Sequence, residues 1–339
     1  MRYASEITRN VKENPVMIIS MLAAMTAGYL LSVMIGTPKA ISATRLCSLL
    51  CEKLAPSISA KYQDSEDGQH TAGTVYMTVL ILFALIPAAV ILLLLYRFCP
   101  AAAIIVDAVI CWSVMDIKGV NKLSAAAARS ARSHRFDKVE RAASALNGTD
   151  CSDLTDEELI KASVQGVADR TVDNAAAPLF YNFLLGGVGG LLFRMIDTAA
   201  ELCPENTDAE TGFAEPLRKA QAFFLALPGK LASVIMLVDA LFLKLNTRDA
   251  EYMLRRDGKK CRRSCFGGCR AVLAGLLGIS LVPEEVYSEQ FIRTLTIGDG
   301  EKEPVGSDIT LSAQLMNGTA FLLMLLFFMI KLTIGVWTR

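Results

Sequence analysis

The amino-acid sequence predicts an all-α fold, a polytopic integral membrane protein with four to five membrane segments and helical cytoplasmic loops. Three observations lead there. The composition is apolar for 339 residues, with 53% hydrophobic and 20% charged residues and a mean hydropathy of +0.41, more than a soluble core of this size needs. The apolar residues gather into runs of about 20, the length that crosses a hydrocarbon layer of about 30 Å at 1.5 Å per residue. Lysine and arginine collect between the runs, as at the cytoplasmic ends of spans. The 34 basic and 34 acidic residues cancel, so the electrostatic footprint of a nucleic-acid binder is missing and no nucleic-acid partner is expected.

The chain 1–339 reads as a single membrane domain whose elements follow in order. A polar head, MRYASEITRNVKEN, precedes the apolar stretch 15–35. That stretch lacks a small-residue cleavage pattern, so it is expected to be a retained first span. Nine cysteines without a secretory leader point to a reducing cytosolic face with few or no disulfides. Residues 62–73 are polar, acidic and aperiodic, which predicts a mobile loop. The second span is 75–98. Two apolar stretches, 101–115 and 271–282, are too short to be read as spans and are expected to be helices within the protein or at the interface. Between 116 and 146 the sequence is alanine-rich, arginine-spaced and free of proline, which predicts helix. The turn NGTD at 147–150 ends it, and Thr155 with Glu158 three residues later forms a capping box that opens the next helix. The stretch 177–196 is long enough to span but holds Gly186, Gly187, Gly189 and Gly190. A broken helix, a re-entrant hairpin and a tight helix contact all stay open for it. The stretches 222–245 and 315–337 complete the membrane segments, with 298–307 read as a loop before the last. No internal repeat and no alternating strand pattern is present.

Orientation follows from the basic loops. Lys118, Lys122, Arg129, Arg132, Arg135, Lys138 and Arg141 place 116–176 on the cytoplasmic side. Arg248, Arg255, Arg256, Lys259, Lys260, Arg262, Arg263 and Arg270 do the same for 246–314. If 177–245 forms two spans, residues 197–221 fall outside. If 177–196 re-enters, they stay inside and 222–245 dips rather than crosses.

Several carboxylates stand at the mouth of the glycine-broken stretch. Ionisable groups at a membrane edge are expensive, and persist where they bind or react with something. Asp169 and Asp173 are four residues apart and would share one helix face; the blander reading is a pair of solvated helix-end acids. Cys261, Cys265 and Cys269 recur at intervals of four, as do Cys47 and Cys51. Helix packing explains both sets more simply than a soft-metal site, which would want a fourth ligand. His70 lies in the acidic loop and His134 among arginines. There is no G-x-x-x-x-G-K-[ST] loop and no G-x-S-x-G elbow. The basic run 259–263 suits either anionic lipid and topology or nucleotide phosphates.

Read in order, VADRTVD at 167–173, APLFY at 177–181, the two glycine pairs and R-x-I-D-T at 194–198 resemble the central signature of the adenosylcobinamide-phosphate synthase (cobinamide synthase) family of cobalamin biosynthesis. Gly36-Thr37-Pro38 stands where the family has G-D-P, Gly148-Thr149-Asp150-Cys151 where it has G-R-D-T, and 271–281 matches its later apolar stretch. Asp169 replaces a Glu and Arg170 an Asn, Ala200 stands for an Asp, and the paired aspartates before Pro228 become Lys219-Ala220-Gln221-Ala222. The resemblance implies a common fold and a multi-pass protein of the cell membrane. It also implies an ATP- and Mg²⁺-dependent ligase that joins aminopropanol or its phosphate to the corrinoid adenosylcobyric acid. Asp150, Asp169, Asp173 and Asp197 would be catalytic and share one pocket, the first three holding Mg²⁺. Gly148, Lys230, Lys259 and Arg263 would meet the phosphates of ATP. The departures keep open a catalytically lapsed relative that scaffolds other corrinoid-assembly enzymes in the membrane. A transporter is the third reading, from the glycine break and its acids alone.

Overall fold

The structure is a computed structural model that describes residues 15–38, 42–59, 61–62, 66–203, 208–260, 264–281 and 296–337. The helices are α1 (Pro15–Met34), α2 (Ala43–Ser59), α3 (Glu66–Phe98), α4 (Pro100–Ser113), α5 (Ile117–Arg132), α6 (Phe136–Asn147) and α7 (Asp156–Thr171). A π-helical turn, Val172–Ala176, leads into α8 (Ala177–Leu185) and α9 (Gly187–Glu201), followed by α10 (Asp208–Phe242), α11 (Thr247–Asp257) and α12 (Ser264–Leu277). Two short strands, β1 (Ile279–Leu281) and β2 (Ile297–Glu301), precede the last helix, α13 (Gly306–Trp337). The fold is all-α and polytopic. Four helical stretches are long and apolar enough to cross a membrane: Asp67–Phe98, Pro100–Arg132, Gly212–Phe242 and Gly306–Ile334.

Three local readings of the sequence are corrected. Residues 66–73 are not a loop but the first turns of α3, where Gly73 sits against the backbone of Phe213 with no room for a Cβ. Packing overrides the polar composition there. The stretch 101–115, too short alone, opens a nearly continuous helical stretch that reaches Arg132, interrupted at 114–116. Residues 298–301, read as part of a loop, belong to β2 (Ile297–Glu301), antiparallel to β1 with Leu281 opposite Ile297.

The chain divides into two compact units. The first comprises 1–116, 178–221 and 324–339. Here α1 lies close on α4 because Gly28 leaves space for Cys111 and the Ala108 carbonyl. The Trp112 indole N–H donates to the Gly36 carbonyl at 3.1 Å and the Thr37 hydroxyl to that of Met115 at 2.6 Å. A core cluster gathers Cys47, Cys51, Tyr76, Leu80, Met195, Ala199 and Leu217.

The glycine-broken stretch is a helical hairpin. Gly186, with φ of 68°, separates α8 from α9, and the Tyr181 ring stacks on Phe193 with centroids 5.6 Å apart. In a straight helix residues twelve apart would be separated by about 18 Å. Gly190 takes the space beside the Asn182 side chain, where a Cβ would overlap it. The arms have 9 and 15 residues, each short of the roughly 20 that a crossing needs. A break of this kind strips the second helix's first N–H groups of their partners. Asp107, buried on α4, meets that need: its Oδ1 accepts the Gly187 N–H at 2.7 Å and its Oδ2 the Tyr96 hydroxyl at 2.8 Å. The negative charge suits a helix N-terminus.

The second unit comprises 117–177 and 222–323. Helix α5 packs on α6 and α6 on α7. Helix α6 ends at Gly148, whose φ of 79° is the left-handed cap that favours glycine. Helix α7 begins with the expected capping box: the Thr155 hydroxyl accepts the Glu158 N–H, and Glu158 accepts the Thr155 N–H at 2.9 Å. That backbone bond, with the Thr155 hydroxyl, holds the Glu158 carboxyl below its ordinary range. Helix α12 runs through the unit's middle. Its Gly268 lies on Ser233 of α10 and its Gly275 on Ala250 of α11, while Gly229 of α10 fits beneath the Cys265 carbonyl.

Candidate functional site

The capping box starts α7 at a fixed point, and the 16-residue helix delivers Asp169 and Arg170 to its end. The next turn is π-helical and carries Asp173. Such turns cost backbone geometry and recur at functional sites. From α12, 101 residues further on, Arg270 meets Asp169 with two parallel bonds, Nε to Oδ1 at 2.7 Å and Nη2 to Oδ2 at 2.5 Å. That fork is the strong, planar form of the ion pair. Arg170 donates through Nε to the Leu146 carbonyl at 2.8 Å and through Nη1 to Asp173 Oδ2 at 2.9 Å. Asp173 is 3% exposed, but Arg170, Arg270 and Asp169 keep 17%, 10% and 18% of their side-chain surface. Two carboxylates and two guanidiniums are thus gathered at one helix end with no net charge; Asp169 and Arg170 are partly exposed, and Asp173 and Arg270 are buried.

Gly148 adjoins this cluster, within 3.6 Å of Arg170 Nη2 for an added Cβ; its positive φ rather than crowding explains the glycine. Asp150, two residues on, is exposed and accepts the Ser152 N–H at 3.2 Å and hydroxyl at 3.1 Å, a local turn. Gly148, Asp169 and Asp173 are therefore gathered around Arg170, with Asp150 in the adjoining loop. Lys230 is exposed on α10, and Lys259 is exposed just beyond α11. Arg263 and Cys261 lie outside the described residues.

Asp197 belongs to the other unit and accepts there from Arg194 and Gln221. Arg194 Nη1 donates to its Oδ2 at 3.0 Å and Gln221 Nε2 to its Oδ1 at 2.9 Å. The same guanidinium grips the Val114 carbonyl through Nε and Nη2 at 3.1 and 2.6 Å. Arg194 and Asp197 are 2% and 0% exposed.

Part of the basic run is committed to structure. Asp257, fully buried at the end of α11, accepts from Arg256 Nη2 at 2.6 Å, Lys260 Nζ at 2.7 Å and the Gly298 N–H at 2.9 Å. Burial works to raise its pKa, but these donors outweigh burial and hold the carboxyl well below the ordinary range. Arg256 also pairs with Asp299, whose carboxyl that bond lowers. The knot fastens β2 to α11. Cys265 and Cys269 are buried free thiols of α12, and Cys47 and Cys51 are core residues of the first unit.

Sequence reasoning passed over the arginines. Arg170 was read as a replacement for Asn and Arg270 as a loop charge, yet each holds one acid of the signature. The spacing R-x-x-D, present at 170–173 and 194–197, was a legible signal for two of the pairs. The Arg270 pairing was not, since it depends on how α12 packs.

A sequence model of the CobD/Cbib protein family matches residues 25–316. A cobalamin biosynthesis protein CobD of Leptospira interrogans is 31% identical over 154 residues, 45% of this chain and 49% of the relative. The matched stretch thus spans about half the length of that relative. One from Geobacter metallireducens is 25% identical over 228 residues, 67% of this chain and 71% of the relative. Another, from Halalkalibacterium halodurans, is 26% identical over 248 residues, 72% and 76% respectively. No solved structure matches the chain.

Proposed function

Since this chain belongs to the CobD/Cbib protein family and is a multi-pass protein of the cell membrane, we propose that it acts in cobalamin biosynthesis as an adenosylcobinamide-phosphate synthase. The reaction would join the amine of aminopropanol, or of its phosphate, to a propionate of adenosylcobyric acid. A carboxylate is unreactive toward an amine near neutral pH. Transfer of the γ-phosphoryl group of ATP to it gives an acyl phosphate and ADP; attack by the amine then forms the amide and releases phosphate and a proton.

The observation that carries this reading is the interleaved cluster Asp169, Arg170, Asp173 and Arg270 at a π turn inside the signature motif. Its donors fit Mg-ATP. Asp169 and Asp173, with Asp150 beside them, offer the hard oxygen ligands that Mg²⁺ takes, and the ion would neutralise phosphate charge. Arg170 and Arg270 offer planar donors that match phosphate oxygens as well as carboxylates. In the absence of nucleotide each arginine is held by an acid. On binding, the arginines would turn to the phosphates, with Gly148, Lys230, Lys259 and Arg263 completing the proposed phosphate contacts. Asp197 is held by Arg194 and Gln221 within its own unit.

A second reading, a catalytically lapsed relative that scaffolds corrinoid-assembly enzymes in the membrane, is favoured by Ala200 and by Gln221. The latter lies in the stretch where the family carries paired aspartates and serves as an amide donor to Asp197. The two readings part on complementation. Cells lacking their own synthase should regain corrinoid-dependent growth when they express the enzyme; abundant membrane protein without growth would leave the scaffold. ATP chemistry also requires that 116–176 and 246–314 face the cytoplasm. Cysteines placed at 129 and 259 should be silent to impermeant reagent in intact cells, and labelling of either would reverse the assigned orientation.

A further inference from the structure

Of the aspartates within the helical stretches that are long and apolar enough to cross a membrane, Asp107 and Asp239 have surroundings that differ in kind. Asp107, in the first unit, is 1% exposed and well supplied. It accepts the Gly187 N–H and the Tyr96 hydroxyl, and the buried Lys331, whose ammonium lies over the Phe183 ring, acts on it electrostatically. These donors hold it as a fixed part of the hairpin tip.

Asp239, in the second unit, has none of this. It is 8% exposed on the apolar stretch Gly212–Phe242. Its Oδ2 has no hydrogen-bond partner among the described residues, and no charged side chain among them acts on it. The carboxyl group lies against Gly318 of the last helix so closely that a Cβ there would overlap Oδ1, Oδ2 and Cγ together. The space that admits this acid is therefore built by a glycine on the facing helix. The next residue, Thr319, is fully buried, and its hydroxyl also has no partner among the described residues.

A lone carboxylate in an apolar setting is not sustained by packing. Its desolvation is so costly that such a group takes up a proton instead. Asp239 is three residues from the end of its helix, about 4.5 Å along the axis, so a proton has a short way to the aqueous boundary. We infer that Asp239, seated against Gly318, is an intramembrane proton-binding site whose carboxyl is carried as the neutral acid and exchanges its proton with water. This assignment is independent of the amide synthesis proposed above.

A hydrophobic carbodiimide tests it, because the reagent adds a protonated carboxyl across its C=N bond and leaves ionised carboxylates unmodified. The full chain in lipid vesicles near neutral pH would be treated with the reagent and mapped by peptide mass. The adduct should sit on Asp239. Sodium in place of potassium should not protect it. Failure to label Asp239 or protection by sodium would each overturn the assignment, the latter by showing a charged carboxylate that holds a metal cation. Asp239→Asn gives a second reading, since asparagine copies the shape and neutrality of the acid. Its unfolding temperature in the same vesicles should match that of the unaltered chain, whereas a fall of several degrees would mean that a charge had been lost and would contradict the proposal.

Discussion

The two units each hold an arginine and an aspartate three residues apart, but they use the pair differently. Arg194 and Asp197 are sealed, at 2% and 0% exposure, and Gln221 and the Val114 carbonyl bind them as well. Arg170 and Asp173 stand beside the second pair, Asp169 and Arg270, and one member of each pair, Arg170 and Asp169, keeps contact with solvent. A desolvated pair with saturated partners cannot exchange them without leaving a bare charge in the interior. A partly hydrated pair can, since water covers the intermediate state. The same short motif therefore serves as a rivet in one unit and as a set of exchangeable contacts in the other.

The largest effect should come from the rivet. Arg194→Met strands Asp197 in the interior and is expected to cost about 3–5 kcal/mol, read as loss of cooperative thermal unfolding and of membrane abundance. A stable Arg194→Met protein would break the contrast. Arg270→Gln should behave oppositely. It frees Asp169 at a partly exposed site, so unfolding should shift by about 1 kcal/mol, while ATP-dependent product formation falls roughly a hundredfold, as when one preorganised charge donor is removed from a transition state. Equal losses of stability and activity would erase the distinction between the units.

The knot around Asp257 sharpens the comparison, because it is buried at its acid but open at its bases. Its folded pKa lies below the unfolded value of about 3.9. The knot's contribution is therefore complete above the ordinary carboxylate range and is lost as pH falls through the lower, folded value. Asp257→Asn should cost about 1–3 kcal/mol near neutral pH and flatten the acid limb of a pH–stability curve followed by circular dichroism. An unchanged acid limb would show that the carboxyl is not held in that way. The smallest effect belongs to Thr155→Ala, about 1 kcal/mol from the lost cap, with little change in activity, since α7 stays anchored by its buried face.

Much of the scaffold was legible in the sequence. Span lengths follow from the bilayer, and the cap at Thr155 and the end at Gly148 follow from local chemistry that neighbouring residues decide. The glycine-broken stretch left three forms open, because glycine permits all of them. The hairpin was selected by Asp107, eighty residues away from the N–H it accepts. A lone acid in AAAIIVDAVICW and a lone lysine in FFMIKLTIGVW were visible as intramembrane charges. What each of them meets is set by residues distant in sequence, Gly187 for Asp107 and Phe183 for Lys331. The acids of the signature were readable from their resemblance. Their arginines were not, because Arg270 reaches Asp169 only through the packing of α12, which turns on glycines whose neighbours are set by the tertiary fold.

The claim that the interleaved cluster performs amide synthesis is tested most directly with purified protein in lipid, given adenosylcobyric acid, aminopropanol phosphate, Mg²⁺ and ATP. Unaltered protein should form the amide with matching release of ADP and phosphate. Asp173→Asn, near-isosteric and stably folded, should lose that product almost entirely. Absence of product from well-folded unaltered protein, under conditions in which another family member works, would contradict the enzymatic account and leave the scaffold in its place.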